Sequence, residues 1–444
     1  MDSRAKQLTE QADYLFGKRE QLMSFWQEVA ENFYPERADF TTTRSLGDTF
    51  ADNLTTSYPL LARRDLGNSF SGILRPTNKD WFRMGVDDAG IDRDSKIWLQ
   101  WASGVQKRAM YDRRSMFVRA TKEADHDFAA FGQCVISVEL NPDGETLLYR
   151  CWHLRDVVWC EGVDGMVNTA HRKWKPTGIT LRRMFRDKLS PDLNQKIDKD
   201  PYCEVSCMHS VVPADQYEGS KQFSTPFVSV YTCREDGSIL EEIGVKTFSY
   251  VIPRWQTVSG SQYAYSPATV CALPDARLIQ SMTLSLLEAG EKAVNPPMIA
   301  KREVFKDDIA IFAGGITWAD MQGDGNIGDN FQVLTNDKSG IPFGIEMSDR
   351  VQAMIKEAFY LNKLSLPIMA GDMTATEVSQ RVQEYIRQAM PLFEPVESDY
   401  NGAICERTFD VILSAGGFGP MDQLPAKLRG QDVKFRFESP LTEA

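Results

Sequence analysis

Thr374 and Glu377 form a capping box. The Thr374 hydroxyl can accept the backbone N–H of Glu377, and the Glu377 carboxylate can reach back to the N–H of Thr374. Met373 and Val378 stand where a hydrophobic staple stands, so a helix begins here. Just before it runs a short, mostly apolar loop over 366–372, and before that a helical pattern over 346–365. A hard helix start, an apolar loop and two long helices are the parts of a mechanical device more than of a catalytic pocket.

At 444 residues the chain has length for two or three domains and a sizeable core. Its 42% hydrophobic and 25% charged residues mark a globular chain and exclude wholesale disorder. A net charge of −12 argues against tight nucleic-acid binding, which needs surplus Lys and Arg, but leaves room for transient contact through a local patch. Met1 leads into an amphipathic segment without the apolar core of a signal peptide. No run of about 18 apolar residues predicts a membrane span. The chain is expected to be made and used in a cytoplasm. Its eight cysteines follow no disulfide framework and mostly lie in apolar or strand-like runs, which predicts buried thiols.

Leu8, Ala12, Leu15, Leu22, Phe25, Trp26, Val29 and Phe33 recur at helical steps and predict one helix, ended by Pro35. Further helices are predicted over 58–74, with Pro59 in the first turn, over 94–110 and over 115–131. Strand patterns over 133–139 and 146–152 flank the turn Asn141-Pro142-Asp143-Gly144. Strands over 157–160 and 166–174 continue that sheet. A short helix over 179–186 and a polar connection lead to strands over 203–212, 227–233 and 239–247. Without regular βαβ alternation the class is α+β. Residues 267–294 read as a long helix with Pro274 as its awkward point and Pro296-Pro297 as its stop. Residues 298–334 read as a compact insert with strand-like pieces. The stretch 374–414 carries Val378, Val382, Tyr385, Ala389, Phe393, Val396, Tyr400 and Ile404 on one stripe, and Pro391 and Pro395 must bend or split it.

Catalytic chemistry is sparse. Gly323, Gly325 and Gly328 match G-x-G-x-x-G, but the loop leads into a strand pattern at 331–334 instead of a helix, which favours a solvated turn. There is no phosphate-binding P-loop and no nucleophile elbow. His126, His153, His171 and His209 are scattered, and Cys203, Cys207 and His209 make at most half a zinc site. Asp87-Asp88 and Glu241-Glu242 read as solvated acids. The expectation is a chain that is not an enzyme and needs no cofactor or metal.

Several segments together resemble podovirus portal proteins, the head-to-tail connector family. They are Phe33-Tyr34-Pro35; the run over 65–74 that begins Asp65-Leu66-Gly67; Asp80-Trp81-Phe82; Ser266-Pro267-Ala268; Leu273-Pro274-Asp275; Asn295-Pro296-Pro297; and above all the capping box at 373–378. The resemblance runs from about residue 20 to 440. It implies a homo-oligomeric ring, usually of twelve subunits, at one vertex of a capsid. Such a ring docks the terminase motor, passes double-stranded DNA during packaging and ejection, and then carries the tail. Major capsid, scaffolding and tail adaptor proteins would be its partners, and no membrane. Its place would be the virion, after assembly in the host cytoplasm.

Mapped by order, the resemblance implies a wing over 1–266 and stem helices over 267–294 and 346–365. A clip would lie over 295–345, a tunnel loop over 366–373 and a long wing helix region over 374–430. Residues 431–444 would be the start of a crown or a C-terminal tail. The tunnel-loop residues Leu366, Pro367, Ile368, Met369, Ala370, Gly371 and Asp372 would approach DNA, with Ile368 and Met369 touching it, the neighbouring loops or the stem. Lys356 and Lys363, seven apart, would share a face of the second stem helix, toward the channel, toward outer solvent or in an intersubunit salt bridge. Phe312 and Trp318 would anchor clip-to-clip contacts or form a local core. An acidic wall would repel DNA and let it slide. Two other readings are a different head–tail adaptor ring and a cytosolic α+β enzyme. The helix–clip–helix insertion argues against the first, and only size and composition support the second.

Overall fold

A computed structural model describes residues 2–45, 47–49, 51, 54–77, 79–87, 92–218, 223–294, 296, 298–300, 331–333, 340–364, 396–420 and 424–437. The apolar periodicity of the N-terminus, which predicts one helix, is divided between α1 (Ser3–Lys18) and α2 (Glu20–Phe33). The break falls at Arg19, whose buried guanidinium donates to the carbonyls of Leu154 at 2.6 Å and Arg155 at 2.7 Å, and to that of Val157. A distant turn thus takes a residue out of the helix line, a cause invisible in local spacing. Helix α3 spans Tyr58–Leu74, as its Pro59 start predicts. Strand β1 (Phe82–Gly85) precedes α4 (Arg93–Met110), which is N-capped by Asp92 accepting from Ser95 N–H at 3.1 Å. Helix α5 (Phe117–Phe131) ends at Gly132, in the left-handed region at φ +72°.

Strands β2 (Val135–Leu140) and β3 (Leu147–Trp152) form the predicted hairpin, closed by Asn141 N–H donating to Thr146 O at 2.7 Å. The next strands do not continue this sheet. After the turn at Leu154–Asp156, β4 (Val157–Glu161) and β5 (Val167–Trp174) begin a separate antiparallel sheet. Helices α6 (Gly178–Phe185) and α7 (Pro191–Lys199) follow. The second occupies what reads as a polar connection. Its signals are Ser190 accepting the Leu193 N–H, Pro191 in the first turn, and Leu193 and Ile197 one turn apart, both buried.

The separate sheet is completed by β6 (Cys207–Pro213), β7 (Phe227–Cys233) and β8 (Ile239–Val245), giving the order β4-β5-β6-β7-β8. Strand β9 (Tyr250–Val251) returns to β2, so the first sheet reads β3-β2-β9. A small ribbon of β10 (Gln256–Thr257) and β11 (Ala264–Tyr265) leads into α8 (Pro267–Val294), whose bounds coincide with the prediction. Strands β12 (Met298–Ala300) and β13 (Phe331–Val333) pair antiparallel. Helix α9 (Gly340–Ala358) starts six residues before the predicted 346, with Pro342 in its first turn where no N–H is needed. A short α10 (Leu361–Leu364), a π-helical turn (Val396–Gly402), α11 (Ala403–Ser414) and β14 (Lys434–Phe437) complete the described chain.

The five-stranded sheet lies between two helical layers. On one face Leu181, Phe185, Leu193 and Ile197 pack on Cys207, Tyr231 and Cys233. On the other, Leu8 and Ala12 of α1 pack on Met208, Val212, Val228 and Val230. Alternation along β6 delivers this two-faced burial. The main core joins α2, α3, α5, the small sheet, the first half of α8, the second half of α9, and α11. At its centre the buried Arg75 pairs with Asp125, donates to Asn401 Oδ1 at 2.8 Å and lies 4.8 Å from the Tyr400 ring. This fastens the π-helical turn to α3 and α5. Val396, Tyr400 and Ile404, the last three members of the predicted stripe, are fully buried. The capping box lies outside the described residues.

Candidate assembly interface on two paired helices

Helix α8 has two unlike halves. Its first part is buried through Ala268, Thr269, Ala272, Leu273, Ala276 and Ile279. Ser266 Oγ donates to Ala129 O at 2.7 Å, and Thr269 Oγ1 to Ala130 O at 2.8 Å, which locks the helix start to the end of α5. Gly132 makes this approach possible: a Cβ there would lie 2.1 Å from the Tyr265 carbonyl carbon. Pro274 lies inside the continuous helix on its exposed side, as does Val270 one turn before it, where loss of the helical N–H costs least. The last anchor is Gln280, whose side chain accepts from Thr55 N–H at 2.7 Å and Thr56 N–H at 3.0 Å and donates to Thr56 O at 3.1 Å.

Beyond Gln280, α8 pairs mainly with α9. Gly344 lets the helices approach closely, since a Cβ there would lie 2.7 Å from Leu286 Cδ2. Helix α9 is anchored at its other end by buried Ser348, Val351 and Ile355, followed by Phe359 against Phe33. The outer parts of both helices expose apolar side chains. Leu284, Leu287 and Val294 lie within about 80° of arc on α8. Phe343, Met347 and Met354 lie within about 40° on α9. Phe343 is 65% exposed and Leu287 55%. An exposed apolar stripe on each of two paired helices is surface that water covers poorly and a second protein surface would cover well. Burying these six side chains would contribute roughly 1 kcal/mol each, given their half exposure.

Lys356 and Lys363 are both exposed, but they do not share one helix face. The helix ends at Ala358, and Tyr360 takes φ +57° before α10 begins. Seven-residue spacing places side chains together only on an unbroken helix. Lys356 lies in the last turn of α9, about 180° from the Phe343–Met347–Met354 stripe. Lys363 instead lies with Nζ 5.7 Å from the Tyr360 ring centroid. Residues 366–372, Phe312, Trp318 and the glycine motif at 323–328 lie outside the described residues.

Three of the four scattered histidines make polar contacts within the fold. His153 Nε2 lies 2.6 Å from Asp39 Oδ1. His209 meets Tyr250 and Ser229, and His171 meets Ser210. Glu242 accepts twice from Arg4 and Glu241 pairs with Lys188, so these acids are tied where the sequence reads as solvated. All eight cysteines are free thiols; four are buried, and only Cys271 is exposed. No cluster of three or more His, Cys, Asp or Glu side chains suited to a metal occurs among the described residues. No helix among them is long and apolar enough to cross a membrane.

The chain is similar to the probable portal protein of Bordetella phage BPP-1, with 26% identity over 440 residues, covering 96% of this chain and 77% of that protein. It is also similar to the portal protein of Salmonella phage epsilon15, with 21% identity over 460 residues and coverage of 100% and 80%. Among solved structures, a chain in the virion of a native gene transfer agent particle superposes with a TM-score of 0.40 at 9% identity, covering 86% of this chain and 81% of that one. A chain in the neck of an empty particle of that kind gives 0.41 at 10% identity, with 87% and 83% covered. The family described as bacteriophage head to tail connecting protein matches residues 5–444. The chain belongs to the bacteriophage head to tail connecting protein family.

Proposed function

We propose that copies of this chain close into a ring at a capsid vertex, through which double-stranded DNA is packaged and later ejected. The carrying observation is the pair of exposed apolar stripes on α8 and α9, in a chain of the connector family. One heterologous contact repeated around a closed ring covers such stripes without leaving an open end. In this reading α8 and α9, with α10, are the stem. The stretch between α8 and α9 is the clip, and 366–373 is the tunnel loop. Lys356, on the far side of α9 from the apolar stripe, faces the channel as a sparse cation on an acidic wall. Lys363 sits near the inner end of the stem. The ring docks a terminase on one side of packaging and tail adaptors on the other, as the portal role requires, and capsid and scaffolding proteins surround it. Its activity is conduction, without a reaction of its own.

Packaging tests this reading. Heads assembled without the chain, or with a chain lacking 367–371, should form shells that hold no genome. The deleted chain itself should still assemble. DNA-filled heads in the complete absence of the chain would overturn the assignment.

A further inference from the structure

Cys207 and Cys233 stand opposite each other on β6 and β7. The Cys233 N–H donates to Ser238 O at 2.9 Å, and the strand contact beside it is Arg234 N–H donating to Ser206 O at 2.8 Å. The two cysteines are therefore a non-hydrogen-bonded pair, in which Cα atoms approach to about 4.5 Å and side chains lie closest. That spacing falls inside the range of about 4.4–6.8 Å that a disulfide bridges. Both side chains leave the sheet on the face covered by α6 and α7, where they are buried with Leu193 and Ile197. The other cysteines within described strands lack this arrangement: Cys151 stands opposite Ile136, and Cys160 opposite Thr169.

The two thiols are not equivalent. Hydrogen bonding from the Cys207 thiol, offset in part by burial and aided by the backbone N–H groups of Asp236 and Glu235, holds Cys233 below the ordinary thiol range. The same hydrogen bond, and then burial, push Cys207 above it. Two thiols used only as small apolar filler account for the burial but not for this division, because apolar surroundings alone raise a thiol. The turn after Cys233 is also where the covering helices are fastened. Ser190 Oγ, at the start of α7, donates to Asp236 Oδ2 at 2.6 Å, and Lys196 Nζ donates to Glu235 Oε2 at 2.6 Å.

We propose that Cys207 and Cys233 are a reversible disulfide site, oxidised by exchange with a small-molecule disulfide and closing a cross-strand link between β6 and β7. The Cys233 thiolate attacks one sulfur of the small disulfide, forms an S–S bond with it and releases the first small thiolate. The Cys207 sulfur then gives up its proton and attacks the Cys233 sulfur. The mixed bond breaks and the second small thiolate leaves. Two electrons pass from the protein pair to the oxidant, and the two protein protons end on the two released thiols. Both sulfurs are covered, so exchange proceeds through local opening of α6 and α7 from the sheet. Reducing compartments keep such a pair as thiols and oxidising surroundings keep it linked, so the sheet is stapled only outside a reducing compartment.

The test treats the folded full-length protein with hydroxyethyl disulfide, alkylates the remaining thiols and maps unreduced peptides by mass spectrometry. The peptides carrying Cys207 and Cys233 should be found joined, lighter by the two lost hydrogens, and should separate on adding dithiothreitol. Ser190→Ala removes the cap of α7 and its contact with Asp236, and should speed linking by about tenfold. In Cys207→Ser, Cys233 should instead hold the small thiol as a stable mixed disulfide. Linking that occurs only in denaturant would overturn the proposal, as would alkylated Cys207 and Cys233 in protein whose exposed Cys271 has reacted. So would a link from either cysteine to Cys203, which packs on the same cluster.

Discussion

Acidification from about pH 7.5 to about pH 5 should loosen the five-stranded sheet well before the carboxylates titrate. His171 and His209 are both fully buried on adjacent strands. His171 Nδ1 lies 2.8 Å from Ser210 Oγ, while its Nε2 is buried without a hydrogen-bond partner among the described residues. His209 Nε2 meets Ser229 Oγ at 2.8 Å, and its Nδ1 meets the Tyr250 hydroxyl at 2.5 Å. That hydroxyl also accepts from Arg172 Nε at 2.9 Å, which sets a permanent cation beside the His209 ring and disfavours a second positive charge there. The ring also stacks on Tyr231 with centroids 4.0 Å apart.

Burial therefore pushes the His171 imidazole down to about 3. Burial first, and then the neighbouring Arg172, push His209 well below its ordinary value. A depressed histidine pKa means that the unfolded chain takes up the proton first. Stability is complete above the unfolded value of about 6.5 and is lost as pH falls from there toward the folded value. At about pH 5 each histidine accounts for a loss of about 2 kcal/mol, or about 4 kcal/mol for the pair, a roughly thousandfold rise in sheet opening. Hydrogen exchange of β5, β6 and β7 amides, corrected for intrinsic rates, reads this opening directly. The slope near pH 5 should be about 2.7 kcal/mol per pH unit, and His171→Leu should halve it whatever it does to absolute stability. Protection that stays flat between about pH 7 and pH 5 would refute the reasoning, because it would mean that these rings bind protons equally in both states.

Three further outcomes follow from the packing. Leu287→Asp with Met347→Asp should abolish assembly, measured by mass photometry, while the monomer stays folded and loses no more than about 2 kcal/mol, since both side chains are half exposed in one copy. Arg75→Met should cost about 3–5 kcal/mol in chemical denaturation by leaving Asp125 buried without its partner, and adding Asp125→Asn should recover part of that loss. Gly132→Ala should cost more than about 2 kcal/mol by thermal unfolding, because φ is +72° and the new Cβ would collide with the Tyr265 backbone.

What could be read from the chain depended on whether the cause was local. Helix α8 was legible because prolines stand at its start and beyond its end, and the hairpin of β2 and β3 because Gly144 supplies the φ of +73° that its turn needs. Helix α7 was missed because so short a segment offers only two apolar residues, although its cap was present. The early start of α9 was hidden by Gly340, Pro342 and Gly344, breakers elsewhere but tolerated in a first turn and at a close helix contact. The Arg19 break depends on partners more than a hundred residues away, and the assignment of β4 to a second sheet on the pairing of β5 with β6 across the two intervening helices. The break between Lys356 and Lys363 has a related cause: Tyr360 leaves the helix where its ring can pack near Trp255, and spacing alone cannot register that turn. The apolar stripes were present in the sequence, but helical periodicity does not say which apolar face finds a partner within its own chain.

Electron microscopy of the purified full-length chain tests the account most directly. It predicts closed rings of many copies around a hole wide enough for a duplex of about 20 Å, with α8 and α9 of adjacent copies in contact along Leu287 and Met347. Particles that stay single at high concentration, or closed assemblies without an opening, would contradict it.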